Sequence, residues 1–441
     1  MLLRSAATPM NAAHFRFFSG LTAAIWLCPF RPFFLLTAGH ALLAMSIWLA
    51  TLHGWLPSLP TVGGMVIWHA HELIFGFAVA SIAGFLLTAV PEFTDTSTLP
   101  AREVRRLVAL WLGGRLSFSV SEWVSIWPAA ICDSLLLVLL LAAVARPIWQ
   151  QVDRRHLAFV LNLIALLAVN LGFYAALTGG GNALGWLRLS IGVLMTLIVV
   201  ALSRISMRLV NDVLEQQGGM AAPYLARPPR RNLAIFCIAL YSGVEFISTF
   251  DPEFAQMALA IMPARGWVAL AAAAALANLL NDWHVGRALG QRWVLIPYTV
   301  YAVMALGYGL IGFAYLLEQP QFSAGLHLLT VGSLGIAILI VMAVAGNMHS
   351  GWGLDHRNWL PLAAICLFFA SIVRAAINFE VAVALLNTHG LIIAGVLWLM
   401  AWSLYLRNAL RRLSGPRPDY LSGCAETIRR IERLPLDTIT G

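Results

Sequence analysis

Two histidines and a glutamate, in Trp68-His69-Ala70-His71-Glu72, open an apolar run that reaches Val90 without another charge. Ionisable groups at membrane depth are costly and mark function by default. Neutral imidazole is a common ligand of haem iron, copper and zinc. At about 100° of helix per residue, His69 and His71 point to nearly opposite faces, so one metal would not take both. The His69 face continues through Gly76, Ala80, Ala83 and Leu87, a stripe of small residues with room for something flat or for a close helix. The His71 face continues through the bulkier Phe75, Ala78, Ile82 and Phe85. His69 is therefore the expected haem ligand, and His71 a ligand to a second centre or a hydrogen-bond partner. Glu72 beside them is the carboxylate expected to handle protons.

Further candidates are His327, in Leu326-His327-Leu328-Leu329-Thr330-Val331-Gly332, and His389, in Asn387-Thr388-His389-Gly390. Arg374, Arg188 and Arg115 stand in or near apolar runs and must find a carboxylate, a backbone carbonyl or a haem propionate, which suits a bidentate guanidinium. Glu245, Asp133 and Glu380 are the carboxylates at hand. Each pattern also has a plain structural reading, as close helix packing, an interfacial histidine or an ion pair.

The elements that position these residues are membrane helices. Of 441 residues, 60% are hydrophobic and 11% charged, against about 25% charged in soluble domains, and mean hydropathy is +0.81. The net charge of +8 comes from 28 basic residues, all Arg. They fall mostly in loops, so the charge is no signal of nucleic-acid binding. Spans are expected at 33–53, 66–90, 104–121, 126–145, 157–177, 186–207, 232–250, 264–282, 293–317, 323–346, 359–380 and 385–407. The fold class expected is all-α, a polytopic membrane bundle of about twelve transmembrane helices, because a spanning segment must bond its backbone internally. Residues 1–32 read as an N-terminal cytoplasmic or interfacial segment, 33–207 as a first six-helix half and 208–231 as a cytoplasmic loop. A second half, 232–407, and a cytoplasmic tail, 408–441, follow.

Loop charges set an orientation. Arg102, Arg105 and Arg106, then Arg146, Arg154 and Arg155, then Arg208, Arg227, Arg230 and Arg231, then Arg287 and Arg292 follow even-numbered spans. Loops after spans one, three, five, seven and nine hold only Arg265. By the positive-inside rule both termini are cytoplasmic, and His69, His71, Glu72, His327 and His389 share the outer layer. Cys28, Cys132, Cys237, Cys366 and Cys424 form no CxxC or CxxCH, which argues against a disulfide framework, a zinc ribbon and covalent haem. They are expected as small core residues.

At these residues the chain resembles the NnrS family of membrane proteins. The resemblance rests on Pro29-Phe30-Arg31-Pro32-Phe33-Phe34, on Trp68–Glu72 followed by Phe75-Gly76-Phe77, and on Ala83–Pro91. It extends to His327 with Thr330-Val331-Gly332, to His349-Ser350-Gly351, and to Pro416-Arg417-Pro418-Asp419. It implies a multi-pass bacterial inner-membrane protein that holds haem, as haem b, and copper, and that relieves nitrosative stress. On that reading Glu72 is catalytic. His69, His71, His327, His389, Arg374 and Arg31 bind cofactor, and His69, His71, His327 and His349 ligate metal. The chain departs from the family where Met304–Tyr308 lacks a histidine, where Val344 replaces an arginine, and at His349–Trp352 and Leu202–Met207.

The first functional expectation is a haem protein that binds nitric oxide and detoxifies or reduces it, with quinol or a periplasmic carrier as electron donor. No glycine-rich dinucleotide motif is present to hold a nicotinamide. The alternatives are a transporter or channel using intramembrane His and Glu residues, and a sensor or assembly factor without turnover.

Overall fold

The computed structural model describes residues 24–152, 156–217, 223–250, 252–318, 321–379, 389–419 and 424. Its long elements are all helices. They are α1 (Phe30–Leu52), α2 (Gly64–Thr94), α3 (Ala101–Ser119), α4 (Trp127–Trp149), α5 (Leu157–Gly179) and α6 (Ala183–Gln216). After them come α7 (Pro228–Phe250), α8 (Pro252–Leu280), α9 (Arg292–Leu316), α10 (Phe322–His349), α11 (Trp359–Ala376) and α12 (Gly390–Ser414). Eleven are long and apolar enough to cross a membrane, so the chain is a multi-pass membrane protein. The twelfth, α3, falls short by composition because Arg102, Glu103, Arg105, Arg106 and Arg115 crowd its 19 residues.

Local chemistry sets several boundaries. Gly63 takes φ +87° ahead of α2, a left-handed turn that a side chain would resist. Asn182 caps α6, its side chain accepting from the Gly185 amide at 3.0 Å. Helix α6 continues through Arg208 and Asp212 to Gln216, so much of the polar stretch expected as a loop at 208–231 is helical. Polar side chains do not stop a helix once it leaves the apolar layer. Helices α6 and α7 pack against each other across the remaining connection. Helix α11 ends at Ala376, and Glu380, which the sequence placed in the same span, lies outside the described residues.

Helices α2 and α10 share one irregularity. In each, a run of π-helix follows a histidine directly: Glu72–Ala78 after His71, and Leu328–Leu334 after His327. Each run carries a glycine, Gly76 or Gly332, at the same place within it. Such segments widen a helix turn and gather at functional sites.

Each helix from α3 to α12 packs on the next, and α12 returns to α1, which packs on α2. Helices α2, α6 and α10 lie innermost and touch one another. At least 78% of the best span in each is buried, against at most 56% in any other candidate span. These central helices recur every fourth helix along the chain.

The sequence expectation that the cysteines stay unpaired needs one correction. Cys28 and Cys424 form a disulfide, with Cα atoms 5.6 Å apart and 396 residues between them in sequence. Spacing carries no trace of a pair joined by folding over that distance. Cys132, Cys237 and Cys366 are free.

Candidate functional site

A cavity of about 1390 Å³, counting its mouth, opens among α1, α2, α6, α10, α11 and α12 at the end of the bundle where the even-numbered helices begin. His69, His327 and Arg374 all line it. Its other walls are mainly apolar and aromatic, including Trp48, Phe77 and Trp398. That lining suits a bound organic group, since ligand cavities are mostly apolar with a few placed polar groups.

The two imidazoles are held differently. His327 Nδ1 lies 2.7 Å from the Ser323 carbonyl oxygen. A carbonyl can only accept, so Nδ1 carries the proton and Nε2 keeps its lone pair. A backbone acceptor behind the ring is the usual way to fix the tautomer of a metal-ligating histidine. His69 makes no hydrogen bond among the described residues; it stacks on Trp48, with ring centroids 4.2 Å apart and planes 19° apart. The Arg374 guanidinium has no hydrogen bond or ion pair among the described residues, and it faces the cavity instead of lipid. Arg188, also on the wall, lies over the Phe322 ring at 4.8 Å and 3.7 Å from Glu245.

His71 turns away from this cavity, as helix pitch requires of a residue two positions after His69, and Glu72, although one helical turn from His69, does not line the cavity either. His71 Nδ1 meets Glu72 Oε1 at 3.2 Å, and its Nε2 meets the Tyr174 hydroxyl at 3.2 Å and Asp133 Oδ2 at 3.4 Å. Its ring stacks on Phe118, at 3.9 Å, and on Phe173, at 5.0 Å. Arg115 donates to Glu72 Oε1 at 2.9 Å and also to Asp133. Tyr174 donates to Asp133 at 2.7 Å, and His40 Nε2 reaches Glu72 Oε2 at 3.0 Å and the Glu72 carbonyl at 3.2 Å. All six residues are buried. The network joins α1, α2, α3, α4 and α5 and pairs its charges inside the protein, which is how ionisable groups survive at this depth, while Arg115 Nε and Glu72 Oε2 make no hydrogen bond among the described residues. Gly76 makes it fit, since a Cβ there would collide with the His40 ring.

The remaining candidates lie apart. His389 is exposed at the start of α12 and does not line the cavity. Arg31 is buried at the opposite end, donating to the carbonyls of Ala24 at 3.1 Å, Leu413 at 3.2 Å and Gly415 at 2.6 Å. It thereby ties the start of α1 to the end of α12. His349 shares that end, with Nδ1 2.8 Å from the Cys424 carbonyl and Nε2 3.4 Å from Glu92. Among the described residues no group of three or more His, Cys, Asp or Glu is placed to hold a metal ion.

Sequence reading missed Trp48, His40 and Tyr174, which carry no motif, and weighed Arg188 only as an arginine in an apolar span. Residues 24–417 match the family described as NnrS protein. No curated protein matches the chain significantly.

Proposed function

Since the chain belongs to the NnrS family, which is associated with the nitric oxide response, we propose that it is a haem protein of the bacterial inner membrane that binds nitric oxide and removes it. The observation that carries this reading is the meeting of His69, His327 and Arg374 on the lining of one largely apolar cavity. The donor set suits a haem: imidazole for iron, a guanidinium free to take a carboxylate arm, and aromatic faces for a flat ring.

Bound there, haem would supply an iron centre for a diatomic ligand. The chain's own residues do the rest. Ser323 holds the His327 tautomer, Trp48 fixes the plane of the His69 ring, and Arg374 offers the charge that orients a carboxylate. The buried network around Glu72 and Arg115 locks α2 against α1, α3 and α4, and so sets the direction in which His69 projects. The end of the bundle that holds the cavity is, on the loop charges, periplasmic. Electrons would then come from quinol or a periplasmic carrier.

A visible spectrum with metal analysis of the detergent-purified chain tests this. A Soret band and a haem b pyridine haemochrome support it. Colourless protein purified from haem-replete cells would sink it and favour a transporter.

A further inference from the structure

A second chamber lies one to two turns further along the three central helices. It has about 480 Å³ of atom-free space counting its mouth. Its walls are Ala78 and Phe85 of α2, Leu194 and Ala201 of α6, Leu334 and Ala337 of α10, and their neighbours. Of its thirteen lining residues only Ser81 carries a polar side chain.

This space is too apolar for water. A buried water needs two to four polar partners, and the helical backbones here spend their own on one another. It lies on the three innermost helices and has an open mouth. It adjoins the histidine cavity, since Leu334 lines both spaces. On α2, Phe77 lines the cavity and the next residue, Ala78, the chamber; on α6 the lining passes from Ile191 to Leu194, three residues on.

We propose that this chamber is a binding site for a small apolar gas and the route by which such a gas reaches the histidine cavity. Dry apolar cavities in proteins take up xenon and small apolar molecules. Nitric oxide, apolar and soluble in the bilayer, belongs to that class. The route rests on the haem reading above, whereas the binding site does not.

Xenon tests the site on the full chain, with or without haem. Crystals under xenon pressure should show xenon beside Ala201 and Ala337. An ordered acyl or detergent chain, ordered water, or no xenon there would overturn the proposal. Ala337→Phe, or the milder Ala201→Leu should the first fail to fold, should remove the xenon. In haem-loaded protein these variants should slow carbon monoxide recombination after photolysis by about tenfold, as a narrowed access step would, with the absorption spectrum unchanged. An unchanged recombination rate in a variant that has lost its xenon would overturn the route. Absence of haem would defeat the functional reading and leave the xenon result to decide on the chamber.

Discussion

His69 and His327 lie on different helices, far apart in sequence, yet face one cavity. If both serve the same group, His69→Ala and His327→Ala should each lower haem per chain. Full haem retention in both variants would refute the assignment. Arg374→Gln should weaken haem binding by about tenfold or more, because a hydrogen bond to a charged group contributes about 1.5–3 kcal/mol; His389→Ala, which lies off the cavity, should leave occupancy unchanged. Across α2 the consequences are for stability. Arg115 sits between Glu72 and Asp133, and removing one partner of a buried ion pair costs about 3–5 kcal/mol. Glu72→Gln should fall at the low end of that range, because Asp133 still faces the guanidinium. Thermal unfolding in detergent reads this out, and a Glu72→Gln variant as stable as the parent would contradict the network's role.

Helices α9 and α10 approach at glycines. A Cβ built on Gly325 would meet the Gly307 carbonyl oxygen at 2.5 Å, and one on Gly307 would lie 3.1 Å from the Gly325 carbonyl oxygen. Gly325→Ala should therefore push α10 off α9 and displace His327, lowering thermal stability and haem occupancy together. Gly39 in α1 is the control, with nothing within 4 Å of its built Cβ. Gly39→Ala should be neutral or stabilising, by up to about 1 kcal/mol. The connection from α10 to α11 depends on Asp355, which accepts from Arg357 at 2.6 Å and Trp359 at 2.8 Å and pairs with Arg412 of α12 at 3.1 Å. Burial alone would raise its carboxyl pKa, but the Arg357 and Trp359 hydrogen bonds outweigh burial and hold it well below the usual range. A depressed folded value stabilises the fold at every pH above the ordinary aspartate value of about 3.9, and that contribution disappears as pH falls through the folded value. Asp355→Asn should cost about 1–3 kcal/mol at neutral pH, toward the low end because the Arg357 side chain is exposed. The gap between variant and parent should close only in strong acid.

At the scale of the whole molecule, three polar clusters sit at one end of the bundle. They are the histidine cavity, the Glu72–Arg115–Asp133 network, and Glu245 with Tyr315, Arg188 and Arg265. Arg188 belongs to both the first and the last, and all three include a residue of a central helix. Which side of the membrane this end faces follows from arginine counts in short loops. Single cysteines at Ser58 and Arg287, in a chain with Cys132, Cys237 and Cys366 changed to Ala, would test it in intact cells. An impermeant thiol reagent should label the Ser58 site and spare the Arg287 site. The reverse pattern would move the cavity to the cytoplasmic face and remove any case for a periplasmic electron donor.

The amino-acid sequence by itself determined the class and the helices, because apolar runs of membrane length have no other way to bond their backbones. It also set the His69 and His71 faces apart, since helix pitch alone separates them, and it marked Arg374 as needing a partner. What only the tertiary structure decided is who meets whom. His327 joining His69 across the cavity, His40 and Tyr174 joining the Glu72 network, and Cys28 reaching Cys424 all depend on contacts between distant helices. So do the central positions of α2, α6 and α10, since an apolar face toward lipid and an apolar face toward protein are written in the same residues. His389 and Arg31 show the same limit from the other side: each carries fitting chemistry, and packing leaves one exposed at the start of α12 and ties the other to the far end of the bundle.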